Sequence, residues 1–416
     1  MDVNVEYLLR LLHSVLYDEP VPGMEPEVEW DSLLAAAGMG EVITLIYKKL
    51  NELTGDDRPD EEKLRWLKEY SMTRGMKKLQ NYDMLSLVLK KAEEQNIQVI
   101  VFKGPILGNL YPEPMMRPSC DIDIYVDPKD LKSMEELLSE LGFVKNEEHS
   151  KEVVPVYLYE NRMTFEVHCC LYEDYTGKRI ELLKKMNLTN PDKLVHLNVY
   201  GMNLTTLGYE EHLIFLLFHL IKHISYSGCS LKTIIDIVLY VNAYVDQIDK
   251  EDFWKKMKQL NYDNFCRTLF SIGCYYFGMT QDIFIDGSYS ENVAKTTMLH
   301  LYETGILKAS SKGKEEDRRA ASIAYQSLQG KEDKKISKFR MWKKTFFPSS
   351  KDLSFRYMYA RKHPSLVWIA WLHRAFNHVT VRFMSKNDEH VNMMEDMQLA
   401  NRKLSLLKEL DLMKKD

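Results

Sequence analysis

Hydrophobic positions divide the chain into three tracts. In the first, Tyr7, Leu8, Leu11 and Leu12 recur at helical spacing, and Leu64, Leu67, Met72, Met76, Leu79, Met84, Leu87 and Leu89 do so along a proline-free stretch from Glu61 to about Glu94. This predicts one long helix or two abutting ones, ended at Asn96. At Ile97 the period shortens. Ile97–Phe102 is a β-rich run followed by the turn Lys103-Gly104-Pro105 and a short apolar helix, Ile106–Leu110. Asp121–Val126 alternates acids with aliphatic residues as a second strand, and Pro128 opens a helix, Lys129–Leu141, stopped by Gly142. Val153–Tyr159 and Met163–Cys169 form a hairpin around Glu160-Asn161-Arg162, and Leu194–Val199 and Asn203–Leu207 another around Gly201. From Tyr209 the helical period returns. Glu210–Ser225 and Leu231–Val245 are apolar on more than one face, as buried helices are, and helices continue to about residue 310.

The expected architecture is α+β, with a small mixed sheet flanked by N-terminal and C-terminal helical lobes. Its parts are a helical region over 1–95, an α/β core over 96–208, a helical lobe completing a cleft over 209–310, and a charged, helical region over 311–416. The last holds the dense charge runs Lys312–Arg319 and Lys331–Lys344 and a charged amphipathic helix from about Ser385. Its aromatic residues Trp342, Phe346, Phe347, Phe355, Tyr357, Tyr359, Trp368 and Trp371 are read as helix packing rather than a platform for single-stranded nucleic acid.

Composition narrows the classes. With 45% hydrophobic and 28% charged residues the 416-residue chain can bury a core, and 18 glycines and 13 prolines suit helices better than a turn-rich β fold. A net charge of −5 supplies no general attraction to nucleic acid. Cys120, Cys169, Cys170, Cys229, Cys266 and Cys274 contain no CxxC pair and read as reduced core thiols. The first residues lack the basic and apolar regions of a signal peptide, and Leu213–Leu220 and Val367–Leu372 are too short to span a bilayer. A cytoplasmic protein without membrane partners is expected.

The chemistry centres on Arg117-Pro118-Ser119-Cys120-Asp121-Ile122-Asp123. On a strand, residues i and i+2 share a face, so Asp121 and Asp123 present two carboxylates together while Ile122 and Ile124 enter the core. We expect a twist or bulge after Asp123. Like charges held together invite a cation, and hard oxygen donors suit Mg²⁺ shared with substrate phosphates. A solvated strand end shows the same short motif, so its companions matter. Lys103-Gly104 lies where a strand passes into a helix, with a small residue and free backbone N–H groups open to a triphosphate. Glu166, in Phe165-Glu166-Val167-His168, is an acid on an apolar strand, costly there unless paired or bound to metal, and shares its face with His168.

Together these stretches, FKGPILGNLYPEPMMRPSCDIDIYVDPKDLKSMEELLSELGF and FEVH, resemble the uncharacterised bacterial nucleotidyltransferase family, whose pattern runs Leu-Lys-Gly, Tyr-Pro, Arg-Pro-x-x-Asp-Ile-Asp and Asp/Glu-x-His. EEHLIFLLFHLIKH, LKTIIDI and the later FFPSSKDLSFRYMY are similar too, so the resemblance runs from about residue 95 to 380. It implies the DNA polymerase beta-like superfamily, in which a Gly-Ser turn grips phosphate and three carboxylates bind two metals. By that resemblance Lys103-Gly104 is the phosphate turn, and Asp121, Asp123 and Glu166 are the metal ligands and catalytic set. Arg117 pairs with phosphate or braces Asp123. Two departures stand out: Gly104 is followed by proline rather than serine, and the third acid is Glu rather than the commoner Asp.

In the helical lobe His219, Lys222 and His223 lie at i, i+3 and i+4, with Lys232 and Asp236 one turn apart on the next helix. These five either line the cleft or satisfy buried polar contacts, and the resemblance favours the cleft, as nucleotide or phosphate contacts; His168 lies beside the metal or is a core histidine. The implied activity is transfer of a nucleoside monophosphate from ATP or another nucleoside triphosphate, with Mg²⁺ or Mn²⁺, to a hydroxyl or similar acceptor. A small molecule or a peptide or protein is favoured over RNA; the acceptor itself stays open. The alternatives are a degenerate nucleotide-binding or interaction domain without turnover, for which Pro105 speaks, and a DxD-type glycosyltransferase, against which the order of turn, DxD and third acid speaks.

Overall fold

The computed structural model describes residues 1–118, 121–147, 150, 153–160, 163–172, 178–226 and 228–307, and then 347, 350, 353, 357, 359–360, 363–373 and 393–412. Both charge runs and Cys120, Trp342, Phe346 and Phe355 lie outside them. The chain divides into two compact units, Met1–Gly313 with Leu406–Asp416, and Lys314–Ser405. In the smaller unit Leu353, Tyr357, Ala360 and Ala370 form a buried apolar cluster, and Phe347 meets Trp371 edge-on at 5.1 Å. A terminal helix, Met393–Glu409, ends the described chain.

The large unit begins with four helices, α1 (Val3–Tyr17), α2 (Trp30–Met39), α3 (Ile43–Glu52) and α4 (Glu61–Glu94). α4 is one continuous helix. Asp60 caps its N-terminus by accepting from the Lys63 N–H, Glu61 and Glu62 complement the positive end of its dipole, and Asn96 just beyond it takes a positive φ of 57°. Its buried face carries Leu64, Leu67, Ser71, Gly75, Lys78, Tyr82, Leu85, Val88 and Ala92. Met72, Met76, Leu79 and Leu87, part of its apolar series, point outward. Polar Lys78 takes an inward place because its ammonium donates to the carbonyls of Pro114 and Arg117, which would otherwise be buried without a partner.

The sheet follows, with strands β1 (Val99–Phe102), β2 (Asp121–Val126), β3 (Val144–Lys145), β4 (Val156–Tyr159) and β5 (Met163–His168) in the order β1-β2-β5-β4-β3. Only the central pair β2–β5 is parallel; the others are antiparallel. Between β1 and β2 lies the short helix α5 (Gly104–Gly108), and between β2 and β3 the helix α6 (Leu131–Glu140). The β2 pairing runs unbroken from Asp121 to Tyr125, so the bulge expected after Asp123 is absent. None is needed. Strict alternation already sends Ile122 and Ile124 together to one face, where they meet Phe165 and Val167, Leu85 and Val88 of α4, and Leu137 and Leu138 of α6.

The opposite face carries the acids and looks toward the helical lobe. After α7 (Lys178–Met186), strands β6 (Val195–Val199) and β7 (Met202–Thr206) form a hairpin. Its two-residue turn, Tyr200-Gly201, has positive φ at both positions, the twist that antiparallel strands favour. Then come α8 (Tyr209–Tyr226), α9 (Leu231–Tyr244), α10 (Lys250–Gln259), α11 (Asp263–Phe277) and α12 (Glu291–Glu303). Phe102 at the end of β1 meets Phe215 of α8 edge-on at 4.7 Å, fixing the lobe over the acidic face. The N-terminal helices join the same lobe, since Tyr17 Oη donates to the Phe277 carbonyl at 2.7 Å. No described helix is long and apolar enough to cross a membrane.

Candidate active site

The in-register pairing of β2 with β5 sets Asp121 opposite Thr164, Asp123 opposite Glu166 and Tyr125 opposite His168. Every second residue faces the lobe, so Asp121, Asp123, Glu166 and His168 share one side of two neighbouring strands. Asp123 is buried, with 3% of its surface exposed, and Asp121 and Glu166 are half-buried. His168 Nε2 lies 3.2 Å from Asp123 Oδ1 and 3.7 Å from Glu166 Oε2.

Lys103 reaches this cluster from the end of β1. Its backbone adopts φ 61°, ψ −123°, a region glycine favours and other residues enter only under strain. The strained turn aims the ammonium at Asp123 Oδ1, 2.8 Å away. Gly104 begins α5 at φ 23° and is buried; a Cβ there would meet nothing within 4 Å.

The electrostatics follow from this packing. Burial would raise the Asp123 carboxyl, but the charge of Lys103 and the hydrogen bond from His168 outweigh it and hold the group well below the usual carboxylate range. For Glu166 the charges of Lys103 and Lys222 compensate less. Burial first, then the negative charges of Asp123 and Asp121, push it up to about 7. Two adjacent carboxylates are thus driven apart in proton affinity, the mark of a site that gains from a further cation.

Above the cluster opens a cleft of about 710 Å³. Asp121, Asp123, Glu166 and Lys103 line one side, and His219, Lys222 and His223 of α8 with Lys232 and Asp236 of α9 line another. His219 and His223 face each other Nε2 to Nε2 at 2.9 Å. Burial, then the charge of Lys103, holds His219 well below the ordinary imidazole range, so it is neutral. His168 and Gly104 do not line the cleft; His168 sits beneath Asp123, with its ring edge-on to Phe102 at 5.2 Å.

One expectation needs correction. Arg117 does not brace Asp123. Its Nε and Nη2 donate to Asp236 Oδ1 and Oδ2 at 2.7 and 2.8 Å, and Tyr111 Oη donates to the same carboxylate at 2.8 Å. Both charged residues are buried and hold each other, while Arg117 Nη1 is buried without a hydrogen-bond partner; the fork of a guanidinium matches a carboxylate as well as it matches a phosphate. Burial would lower the proton affinity of Arg117, but Asp236 outweighs it and keeps the charge in place. Lys232, which lines the cleft, pairs there with Glu41 at 2.8 Å.

Glu41 was not foreseen as a cleft residue. Neither were Gly38, Ile43, Thr44, Tyr70 and Arg74, all from the N-terminal helices and their connections. Tyr70 stacks on Trp66 at 5.4 Å, and the Arg74 guanidinium sits over it at 5.3 Å. No local pattern marks these residues, because their spacing is that of any helix face.

The family profile described as uncharacterised nucleotidyltransferase matches residues 26–276, more than half of the chain, and spans the strands and helices that build this cleft. The protein belongs to that family. It is a nucleotidyltransferase, and the N-terminal helices α2 to α4 fall within the matched region. Among solved structures it is similar to the antibiotic-resistance factor ANT(2'')-Ia, at 12% identity and a TM-score of 0.33 over 44% of this chain and 95% of that one. It is also similar to an antigenic nucleotidyltransferase-like protein from Paracoccidioides brasiliensis, at 15% identity and 0.27 over 43% of this chain and 85% of that one. No curated protein matches it.

Proposed function

We propose that this nucleotidyltransferase moves a nucleoside monophosphate from a nucleoside triphosphate to a hydroxyl or similar acceptor, and that it needs a divalent cation, Mg²⁺ or Mn²⁺. The observation that carries the metal is the pairing of Asp123 with Glu166 across β2 and β5, with Asp121 on the same face and the cleft above them. The donor set fits a divalent ion, since carboxylate oxygens converge there and the charges of Lys103 and Lys222 do not offset the burial and repulsion that raise Glu166. When bound, the ion would neutralise charge on the α-phosphate and the leaving pyrophosphate.

The remaining roles belong to the chain's own residues. Asp121, Asp123 and Glu166 would hold the cation, and Glu166 would take the proton of the acceptor hydroxyl. Lys103, which here donates to Asp123, would contact the phosphates with the cation in place. His219, Lys222 and His223 line the far wall, where Lys222 supplies a second positive charge toward the triphosphate. Phosphoryl chemistry depends mainly on positioning and charge neutralisation, so losing one carboxylate is expected to be severe. A net charge of −5 favours a small-molecule or protein acceptor over RNA.

The test is incorporation of label from each of the four α-labelled nucleoside triphosphates with Mg²⁺ or Mn²⁺. A cell extract and the protein itself serve as acceptors, and wild type is compared with Asp121→Asn/Asp123→Asn. Transfer that the double variant abolishes supports the reading. Nucleotide binding by calorimetry that does not depend on metal, or no binding at all, would sink it.

A further inference from the structure

We propose that His168 is itself a metal ligand, adding one imidazole nitrogen to the carboxylates of the site, and that the site therefore prefers Mn²⁺ to Mg²⁺. This rests on the metal-dependent reading above and changes its chemistry, because three carboxylates alone would make an all-oxygen site.

The geometry that points to it is the placement of one nitrogen between two acids. Asp123, Glu166 and His168 each bring a donor atom within 4.8 Å of the others, and they are the only such group of three among the described residues. Around an octahedral ion with bonds of about 2.1 Å, neighbouring donors stand about 3.0 Å apart and opposite ones about 4.2 Å. The observed 3.2 Å from Nε2 to Asp123 and 3.7 Å to Glu166 fall within that range, so small side-chain rotations suffice. A histidine that only oriented Asp123 would need one contact; this one faces both acids.

The strands make the placement hard to avoid. His168 follows Glu166 by two positions on β5, on the same face, and Phe102 packs against the ring from β1. Nε2 is the ring nitrogen that faces the carboxylate oxygens, 3.2 Å from Asp123 Oδ1, and the Lys103 ammonium reaches the same oxygen at 2.8 Å.

Donor chemistry then sets the preference. Water and carboxylate serve Mg²⁺ and Mn²⁺ alike, whereas imidazole favours the first-row transition ions and adds little for Mg²⁺. Asp121 lines the cleft outside this group of three, on the side from which substrate phosphates would approach.

The test is pulsed electron paramagnetic resonance on the full chain loaded with Mn²⁺. Electron spin-echo modulation from a directly bound ¹⁴N is expected in the wild type and should disappear in His168→Gln. Glutamine keeps an N–H donor for Asp123, so a residue that merely oriented the acid would be replaced without loss. Titration with Mn²⁺, followed by the signal of the free ion, should show affinity falling about tenfold or more in His168→Gln. Mg²⁺ affinity measured by competition should change little, so the preference for Mn²⁺ narrows. Wild type that binds Mn²⁺ without ¹⁴N modulation would overturn the role of His168 and leave the metal reading standing. Wild type that binds no Mn²⁺ overturns both. If His168→Gln does not fold, the wild-type spectrum alone still decides.

Discussion

Replacing Asp236 by alanine tests whether the Arg117 pair holds the cleft together. The variant strips Arg117 of both its hydrogen bonds, at 2.7 and 2.8 Å, and Tyr111 of the one at 2.8 Å, while all three side chains stay buried. Arginine cannot escape by losing its proton, so a charge is left stranded in a site where burial works against it. Breaking such a pair from one side costs about 3–5 kcal/mol. For a unit of this size that is a fall in melting temperature of roughly 4–7 °C. The assay is thermal unfolding followed by circular dichroism, with Arg117→Met/Asp236→Leu beside the single variant. Removing both charges leaves no ion unpaired, so the double variant should recover most of the loss despite its two changes. A single variant that melts within about 1.5 °C of wild type, a shift worth no more than about 1 kcal/mol, would refute the reasoning. So would a double variant less stable than Asp236→Ala by the full cost of a second mutation.

Three further outcomes follow from the geometry. Lys103→Met removes the ammonium that competes for Asp123 Oδ1, so calorimetry should show tighter Mn²⁺ binding and weaker nucleotide binding; a fall in both would count against the exchange of Lys103 for the cation. Glu166 has a folded proton affinity raised to about 7, above its unfolded value, so its contribution to metal-free stability is present at low pH and lost as pH rises through about 7. The cation needs Glu166 ionised, so the metal-induced rise in melting temperature should grow between pH 6 and 8, and Glu166→Gln should flatten it; equal gains at both pH values would contradict the assignment. Gly208→Ala would bring a Cβ to 2.9 Å from the Lys193 carbonyl and into the Glu211 carboxylate, which pairs with Lys193. Overpacking of that kind costs about 1–3 kcal/mol, and an unchanged melting temperature would dispute the packing.

The parts of this site that a sequence exposes are those set by neighbours in the chain. Alternation over Asp121–Val126 is enough to place two carboxylates on one face and two isoleucines on the other, and β2 ends where that pattern ends. The same rule sets Glu166 and His168 side by side on β5. The hairpin around Gly201 was legible because such a turn demands particular backbone angles, although the strands come one residue closer than expected and leave only Tyr200-Gly201 between them. Strand β3 was not, since Val144 and Lys145 are both exposed and two residues make no period. Helix α7, with Lys178, Arg179, Lys184 and Lys185 among its nine residues, shows too short an apolar stripe to stand out.

What escaped is long-range, and it has one cause. A charged residue faces substrate or faces protein according to which partner reaches it, and that partner can come from anywhere in the chain. Arg117 and Asp236 are separated by 119 positions, and each alone looks like a cleft residue waiting for phosphate. Together they neutralise each other, and with Tyr111 they tie the loop between α5 and β2 to α9. The same logic brings Glu41 from the N-terminal helices to Lys232. It also explains why Tyr70 and Arg74 on α4 share a cleft with Asp123, although no motif joins them. The carboxylate chemistry sits on adjacent strands and repeats from local rules. The wall from α2 to α4 that shares its cleft is assembled only by the fold, so residues that select an acceptor are to be sought there and not among the acids.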